Sequence, residues 1–159
     1  MKVWEDAENQ DGKRPAELTV TLSDGTAVTL SDENSWTATV KDLPKYEAGV
    51  EIVYTWTEDE AALPEGYELT NTAVNGTVTT LTNSYNPETT EATVVKVWED
   101  AENQDGKRPE ALTVTLSNGT AVTLSDGTAV TLSDENAWTA TVKELPKYAD
   151  GVEIVYTWT

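Results

Sequence analysis

Residues 18–32 read LTVTLSDGTAVTLSD. Leu18, Val20 and Leu22 alternate with threonine on one side of Asp24-Gly25, and Val28 and Leu30 continue the alternation on the other. A period of two puts the apolar side chains on one face of an extended chain, and an Asp-Gly pair tolerates the positive φ of a tight hairpin turn. The stretch therefore predicts two antiparallel strands, near 17–23 and 26–31, with one face turned to a core.

The same texture continues outward. Threonine and valine dominate the chain, and further strands are expected near 2–5, 35–41, 50–57, 66–73 and 77–85. LPKY at 43–46 and LPEGY at 63–67 read as turns at strand ends. Seven short strands with turn signals between them predict an all-β sandwich.

The organisation is a repeat. Residues 2–57 recur as 96–159, and KVWEDAENQDGKRP opens both copies. The second copy carries one additional eight-residue unit, GTAVTLSDGTAVTLSD, where the first has GTAVTLSD. Eight is even, so an insertion of that length preserves which face each side chain occupies. It either lengthens a hairpin or records slippage in repetitive DNA. Residues 58–95 occur once, so the second copy stops where the first continues. The expected division is a complete domain over 1–86, a linker over 87–95 read from NPETTEATV, and an incomplete second domain over 96–159 lacking its last strands.

Composition narrows the function. The 159 residues hold 10 Lys and Arg against 29 Asp and Glu, a formal net charge of −19. Such a balance argues against nucleic acid or an anionic membrane surface as partner. Cysteine and histidine are absent, which removes disulfides, thiolate zinc sites, histidine triads and imidazole bases. Carboxylates, lysines, hydroxyls and amides remain. No apolar run is long enough to span a bilayer, and the first residues are not a signal peptide, so any targeting signal is expected outside this piece.

Strand parity isolates three polar residues. Lys2 shares a face with Trp4, Glu58 continues the face of Ile52, Tyr54 and Trp56, and Asn83 lies between Leu81 and Tyr85. A buried lysine and glutamate escape the cost of an unpaired charge by shifting pKa and neutralising, and a neutral lysine is a nucleophile. The competing reading is a lysine snorkelling from an edge strand, with Glu58 and Asn83 in loop and turn.

KVWEDAENQDGKRP, LPKY, VEIVYTWTE, PEGY and LTNSY, in this order, closely resemble the B-type repeat domain of the Gram-positive collagen adhesin. The resemblance covers the first copy to about Tyr85 and the N-terminal two thirds of a second. It implies a seven-stranded inverse immunoglobulin-like sandwich in which a lysine on the first strand and an asparagine on the last form a spontaneous isopeptide bond, assisted by a buried acid. Here the lysine is Lys2, the asparagine Asn83 and the assisting, catalytic acid Glu58. The family pattern usually has valine where Trp56 stands. In the implied mechanism the uncharged Lys2 amine attacks the Asn83 carbonyl, while a protonated Glu58 hydrogen-bonds that carbonyl and shuttles protons to the departing ammonia. The reaction turns over once, so the protein is not an enzyme. The crosslink adds about 4 to 5 kcal/mol by constraining the unfolded chain, and it carries tension between the terminal strands.

The resemblance implies a stalk or spacer repeat of an extracellular, cell-wall-anchored surface protein, with neighbouring repeats as partners and no cofactor. Two other classes compete: an adhesive module binding a matrix protein or glycan through exposed aromatics, and an acid-pair hydrolase, for which no facing carboxylates are apparent. Lys96 repeats Lys2, but the second copy holds no counterpart of Glu58 or Asn83, so it cannot close its own bond. Either the array is cut within a repeat, or strands 66–85 of the same or another chain complete it in a strand-swapped or complementing homo-oligomer.

Other motifs carry less. EDAENQDG resembles a calcium loop, but alignment on Asn9, Asp11 and Gly12 puts Ala7 at the first ligand position and Leu18 at the closing one. A solvated acidic loop is the expectation, with no metal. The six tryptophans are expected in cores. LPEGY and NPETT match sortase signals only loosely. NGT at Asn75 and Asn118 reads as hairpin turns.

Overall fold

The Asp24-Gly25 turn closes the expected hairpin. In the computed structural model, which describes residues 1–118 and 129–159, Gly25 has φ 91°. The Thr26 amide donates to Asp24 Oδ1 at 2.8 Å, and the Leu22 amide donates to the Thr26 carbonyl at 2.8 Å. The turn joins β2 (Glu17–Leu22) to β3 (Ala27–Ser31) in register Leu18↔Leu30 and Val20↔Val28. Those residues share a face, and Leu18, Val20, Leu22 and Leu30 are buried.

Contacts divide the chain into two compact units, residues 1–9 with 13–86, and residues 10–12 with 87–159. The first unit contains, besides β2 and β3, β1 (Lys2–Glu5), β4 (Tyr46–Glu47), β5 (Val50–Glu51), β6 (Trp56–Glu58), β7 (Glu68–Asn75) and β8 (Val78–Ser84). One sheet has the order β1-β8-β7 and the other β3-β2-β6, with β4-β5 a separate small hairpin. Leu18, Val20, Leu30, Trp36 and Leu81 form the core, joined by Trp4, Val28, Ala38, Trp56, Leu63 and Leu69. Both three-stranded sheets contribute to it, as a sandwich requires. The first and last strands of the unit, β1 and β8, are parallel neighbours, pairing Lys2↔Leu81 and Trp4↔Asn83.

Two strand expectations change. The predicted strand over 50–57 is broken into β5 and β6, although Ile52, Tyr54, Trp56 and Glu58 stay on the more buried face while Val53, Thr55 and Thr57 are exposed. The predicted strand over 35–41 is unpaired in the first unit, because no neighbouring strand reaches residues 37–44.

In the second unit the described strands are β9 (Thr89–Val95), β10 (Ala111–Asn118), β11 (Ala129–Ser133), β12 (Thr139–Pro146), β13 (Tyr148–Ala149), β14 (Val152–Glu153) and β15 (Tyr156–Trp158). Sheets run β11-β10-β15, β12-β9 and β13-β14. Leu116, Leu132, Trp138, Leu145 and Ile154 are buried. The pairing Ala111↔Ser133 through Thr115↔Ala129 repeats Glu17↔Ser31 through Thr21↔Ala27. The residues supplied by the eight-residue duplication thus fall between β10 and β11, and 119–128 lie outside the described residues.

Residues 87–95 correct the expectation of a linker. Seven of them form β9, antiparallel to β12 in register Val95↔Thr139 through Thr89↔Pro146, with a bulge between Val142 and Leu145. The physical reason is in the segment itself. TTEATVV has β-branched residues at most positions and no glycine, a composition that favours an extended, half-buried strand over a solvated connection. The Thr93 and Thr141 hydroxyls meet at 2.8 Å across the ladder. Residues 96–99, the copy of β1, are in no ladder, since residues 96–159 contain no copy of β8 to pair with.

Candidate functional site

β1 is short and parallel-paired, and its inward face holds Lys2 and Trp4. The Lys2 amide donates to the Trp36 carbonyl at 2.8 Å and the Leu81 amide to the Met1 carbonyl at 3.0 Å. The strand is thereby fixed before its side chains are considered. Lys2 is 4% exposed and Asn83 is wholly buried. The Lys2 Nζ donates to Glu58 Oε2 at 2.7 Å, and neither side chain has any solvent-exposed surface. Burial lowers the Lys2 pKa from its ordinary value, against the opposing pull of the hydrogen bond and charge of Glu58.

Asn83 lies opposite Trp4 on the neighbouring strand, one step of the same face beyond the Lys2↔Leu81 pair. Strand spacing and rise make that diagonal about 8 Å between backbones, within the reach of a lysine side chain directed along the strand. The Nζ sits 4.8 Å from the centroid of the ring of Trp4, the residue paired with Asn83. Both polar atoms of the Asn83 carboxamide are buried with no hydrogen-bond partner, as is Glu58 Oε1. An orphaned buried amide costs about 1–3 kcal/mol. One Glu58 oxygen in the same unit is likewise orphaned, and burial favours the amine form of Lys2.

An aromatic wall closes the site. Trp4 packs edge-on against Trp36 at 5.0 Å and against Tyr67 at 5.3 Å, and Tyr67 stacks on Tyr85 at 5.0 Å. Gly66, at φ +90°, lets the chain pass the Tyr85 ring, since a Cβ there would lie 2.9 Å from Tyr85 Cε2.

Sequence reading missed the polar network behind this wall. EDAENQDG was expected to be a solvated loop, yet Asp6 is 2% exposed. Its carboxylate accepts from Arg14 Nε at 2.9 Å, Arg14 Nη2 at 2.6 Å, the Tyr67 hydroxyl at 2.7 Å and the Asn9 amide at 3.0 Å. Burial alone would raise the Asp6 pKa, but the hydrogen bonds from Arg14, Tyr67 and Asn9 hold it below its ordinary value. Tyr67 is raised by burial and by its bond to Asp6. The network fixes an unusual turn in which Ala7, Glu8 and Asn9 all have positive φ, near 50–64°, a conformation that surrounding contacts must hold for non-glycine residues. The signal available was the exact recurrence of Asp and Arg eight apart, as Asp100 and Arg108, which also pair at 2.6 Å.

Lys96 is half-buried, with its Nζ 4.6 Å from the Trp98 centroid. It has the ring partner of Lys2, while the positions matching Glu58 and Asn83 do not occur within residues 96–159. The six tryptophans are all buried or half-buried, and Tyr46 alone among the aromatic residues is exposed. Among the described residues no three Asp, Glu, His or Cys side chains gather as a metal site.

Comparison with known proteins bears on the family and the fold. The family model for the Cna protein B-type domain matches residues 1–84 and 92–159. A collagen adhesin of Staphylococcus aureus is 43% identical over 161 aligned residues, covering 98% of this chain and 13% of that protein. The crystal structure of two B repeat units of the collagen binding protein of Staphylococcus aureus superposes with a TM-score of 0.81 at 39% identity, covering all of this chain and 42% of that one. The chain spans a small part of the curated relative it matches. Its all-β, immunoglobulin-like sandwich architecture and the order of its motifs agree with both comparisons, and the chain belongs to the Cna B-type domain family, whose members are repeats of surface adhesins.

Proposed function

We propose that the first unit is a load-bearing spacer module of an extracellular surface adhesin, locked by an isopeptide bond between Lys2 and Asn83 that forms with the help of Glu58. The observation that carries this reading is the fully buried 2.7 Å Lys2–Glu58 pair together with a fully buried Asn83 carboxamide that has no hydrogen-bond partner and stands on the strand paired with that of Lys2. A purely structural site would satisfy the amide or replace it by an apolar residue.

The chemistry follows from the contacts. Lys2 and Glu58 carry no net charge as a pair, whether the shared proton rests on nitrogen or on oxygen. Transfer across the 2.7 Å bond leaves an amine lone pair on Nζ and a carboxylic acid on Glu58 without creating charge in a dry site. The amine adds to the Asn83 side-chain carbonyl carbon, and the acid donates to the carbonyl oxygen as negative charge develops there. Collapse forms the C–N bond, breaks the bond to Nδ2 and expels it as ammonia, with Glu58 relaying the amine proton to the leaving group. One ammonia leaves for each bond made, and holding the reactants in place supplies much of the rate.

Parallel pairing of β1 and β8 gives the bond its mechanical meaning. Parallel strands start at the same end, so a chain entering at β1 and leaving after β8 is pulled from opposite ends of one sheet. That load shears a ladder of four residue pairs. A covalent link between adjacent positions on those strands takes the load instead. The test is intact mass: the whole chain should weigh one ammonia less than its sequence, and Lys2→Ala, Glu58→Ala and Asn83→Ala should each restore the full mass. A parent at full sequence mass after prolonged folding would end this reading.

A further inference from the structure

An asparagine carboxamide can be attacked by the backbone nitrogen of the residue that follows it, and glycine makes that attack easiest because no Cβ stands in the way. The asparagines of this chain differ in whether they are open to it. Asn83 is wholly buried. Asn9 and Asn103 accept the Arg14 and Arg108 amides at 2.8 Å. Asn34 and Asn136 each bridge two backbone groups, accepting through Oδ1 and donating through Nδ2. Asn71 is followed by β-branched Thr72, and Asn86 by Pro87, which has no amide hydrogen. Asn75 and Asn118 are followed by glycine, and Gly119 lies outside the described residues.

Asn75 is the last residue of β7 and pairs with Val78, the first of β8. Gly76 and Thr77 are therefore a two-residue hairpin loop, with Gly76 at φ 60°. In such a loop the closing pair exchanges the ladder bonds, and the first loop amide stays outside them. Asn75 and Gly76 are exposed, and a Cβ built on Gly76 would meet no atom within 4 Å. Extended backbone holds the Asn75 carboxamide away from the next nitrogen, so the closing pair has to open before the two can meet. That end of the ladder is weakly held. Residues 70–78 are all exposed, and the two valines flanking the tip, Val74 and Val78, are 70% and 53% exposed. Opening the tip uncovers almost no core surface, which places it at the low-cost end of local fluctuations.

We propose that Asn75 is a self-modification site, converting to aspartate and isoaspartate through a succinimide formed with Gly76. The Gly76 nitrogen gives its proton to solvent base and adds to Asn75 Cγ. The N–Cγ bond forms, the Cγ–Nδ2 bond breaks, and Nδ2 leaves as ammonia, closing the ring. Water then adds to one of the two ring carbonyls. Opening at Cγ leaves aspartate in an ordinary main chain, and opening at the backbone carbonyl leaves isoaspartate, with the chain running through the side-chain carboxyl. Either product adds a carboxylate to a chain of net charge −19, and isoaspartate also lengthens the main chain at the pair that closes the β7–β8 turn. The change is confined to the tip, since Leu81, Thr82 and Asn83 farther along β8 are buried. The reaction does not depend on the Lys2–Asn83 bond. A succinimide also lacks one ammonia, but its hydrolysis cancels the deficit, whereas that of a crosslink persists.

The test follows the whole chain in heavy-oxygen water at mildly alkaline pH, both folded and unfolded in urea, with proteolytic peptides sequenced by mass. In the folded chain the peptide holding residue 75 should take up one heavy oxygen there and contain both aspartate and isoaspartate. Its rate should be within about tenfold of that in the unfolded chain, a factor equivalent to about 1.4 kcal/mol for opening the tip. Asn75→Gln, which would need a larger ring, should leave that peptide unlabelled, and label persisting in the variant would overturn the assignment to this residue. A folded chain with no label at residue 75 when the unfolded chain is fully converted also overturns the proposal. So does aspartate as the sole product, which is direct hydrolysis without the ring.

Discussion

Removing the Asn83 side chain tests the lock most directly. Asn83→Ala deletes the electrophile but leaves the Lys2–Glu58 pair at 2.7 Å intact. A crosslink from residue 2 to residue 83 closes about 80 residues, and the loop-closure relation gives it about 4.5 kcal/mol. In the crosslinked parent the carboxamide is already consumed, so truncation adds only the cost of a small void, about 1 kcal/mol, which is minor beside loss of the crosslink. Since 1.4 kcal/mol is tenfold in an equilibrium constant, exchange of a globally protected core amide such as that of Val20 should accelerate about a thousandfold. Glu58→Ala should go further. It prevents the bond and also strands the buried lysine, at an additional cost of about 3–5 kcal/mol. The expected order of stability is parent, then Asn83→Ala, then Glu58→Ala, measured by native-state hydrogen exchange beside intact mass. Val20 exchange in Asn83→Ala equal to the parent, with both at full sequence mass, would refute the reasoning.

Two other expectations follow from the network behind the site. Asp6 has a lowered folded pKa, so its stabilisation is complete above the ordinary carboxylate range and is lost as pH falls from that range through the lower folded-state value. Tyr67→Phe removes one hydrogen bond to that carboxylate, worth about 1.5–3 kcal/mol, and urea midpoints measured from neutral to acid pH should fall less steeply in the variant than in the parent. Gly66→Ala meets both a positive φ and the Tyr85 ring at 2.9 Å, whereas Gly25→Ala at φ +91° meets no atom within 4 Å. Backbone strain costs about 1–3 kcal/mol at either position, so the first substitution should lower the urea midpoint more than the second, and equal losses would show that Tyr85 moves aside.

The sequence by itself determined which side chains point inward. Period-two alternation set the faces of β2 and β3, and parity alone put Lys2, Glu58 and Asn83 on core-facing positions, because in an extended chain neighbouring side chains must take opposite sides whatever the strand pairs with. Tertiary structure decided what parity cannot express, namely which strand lies beside which. Residues 89–95 have the β-branched composition of a strand, but their partner, 139–146, is fixed only by the fold, and residues 35–41 read as a strand because their own pattern is strand-like, though in the first unit they have no neighbour to bond. Asp6 looked solvated for the same reason: its partners Arg14 and Tyr67 are 8 and 61 positions away. Side-chain alternation is written in adjacent residues, while hydrogen-bond partners across a ladder and ion pairs across a turn exist only once the chain has closed on itself.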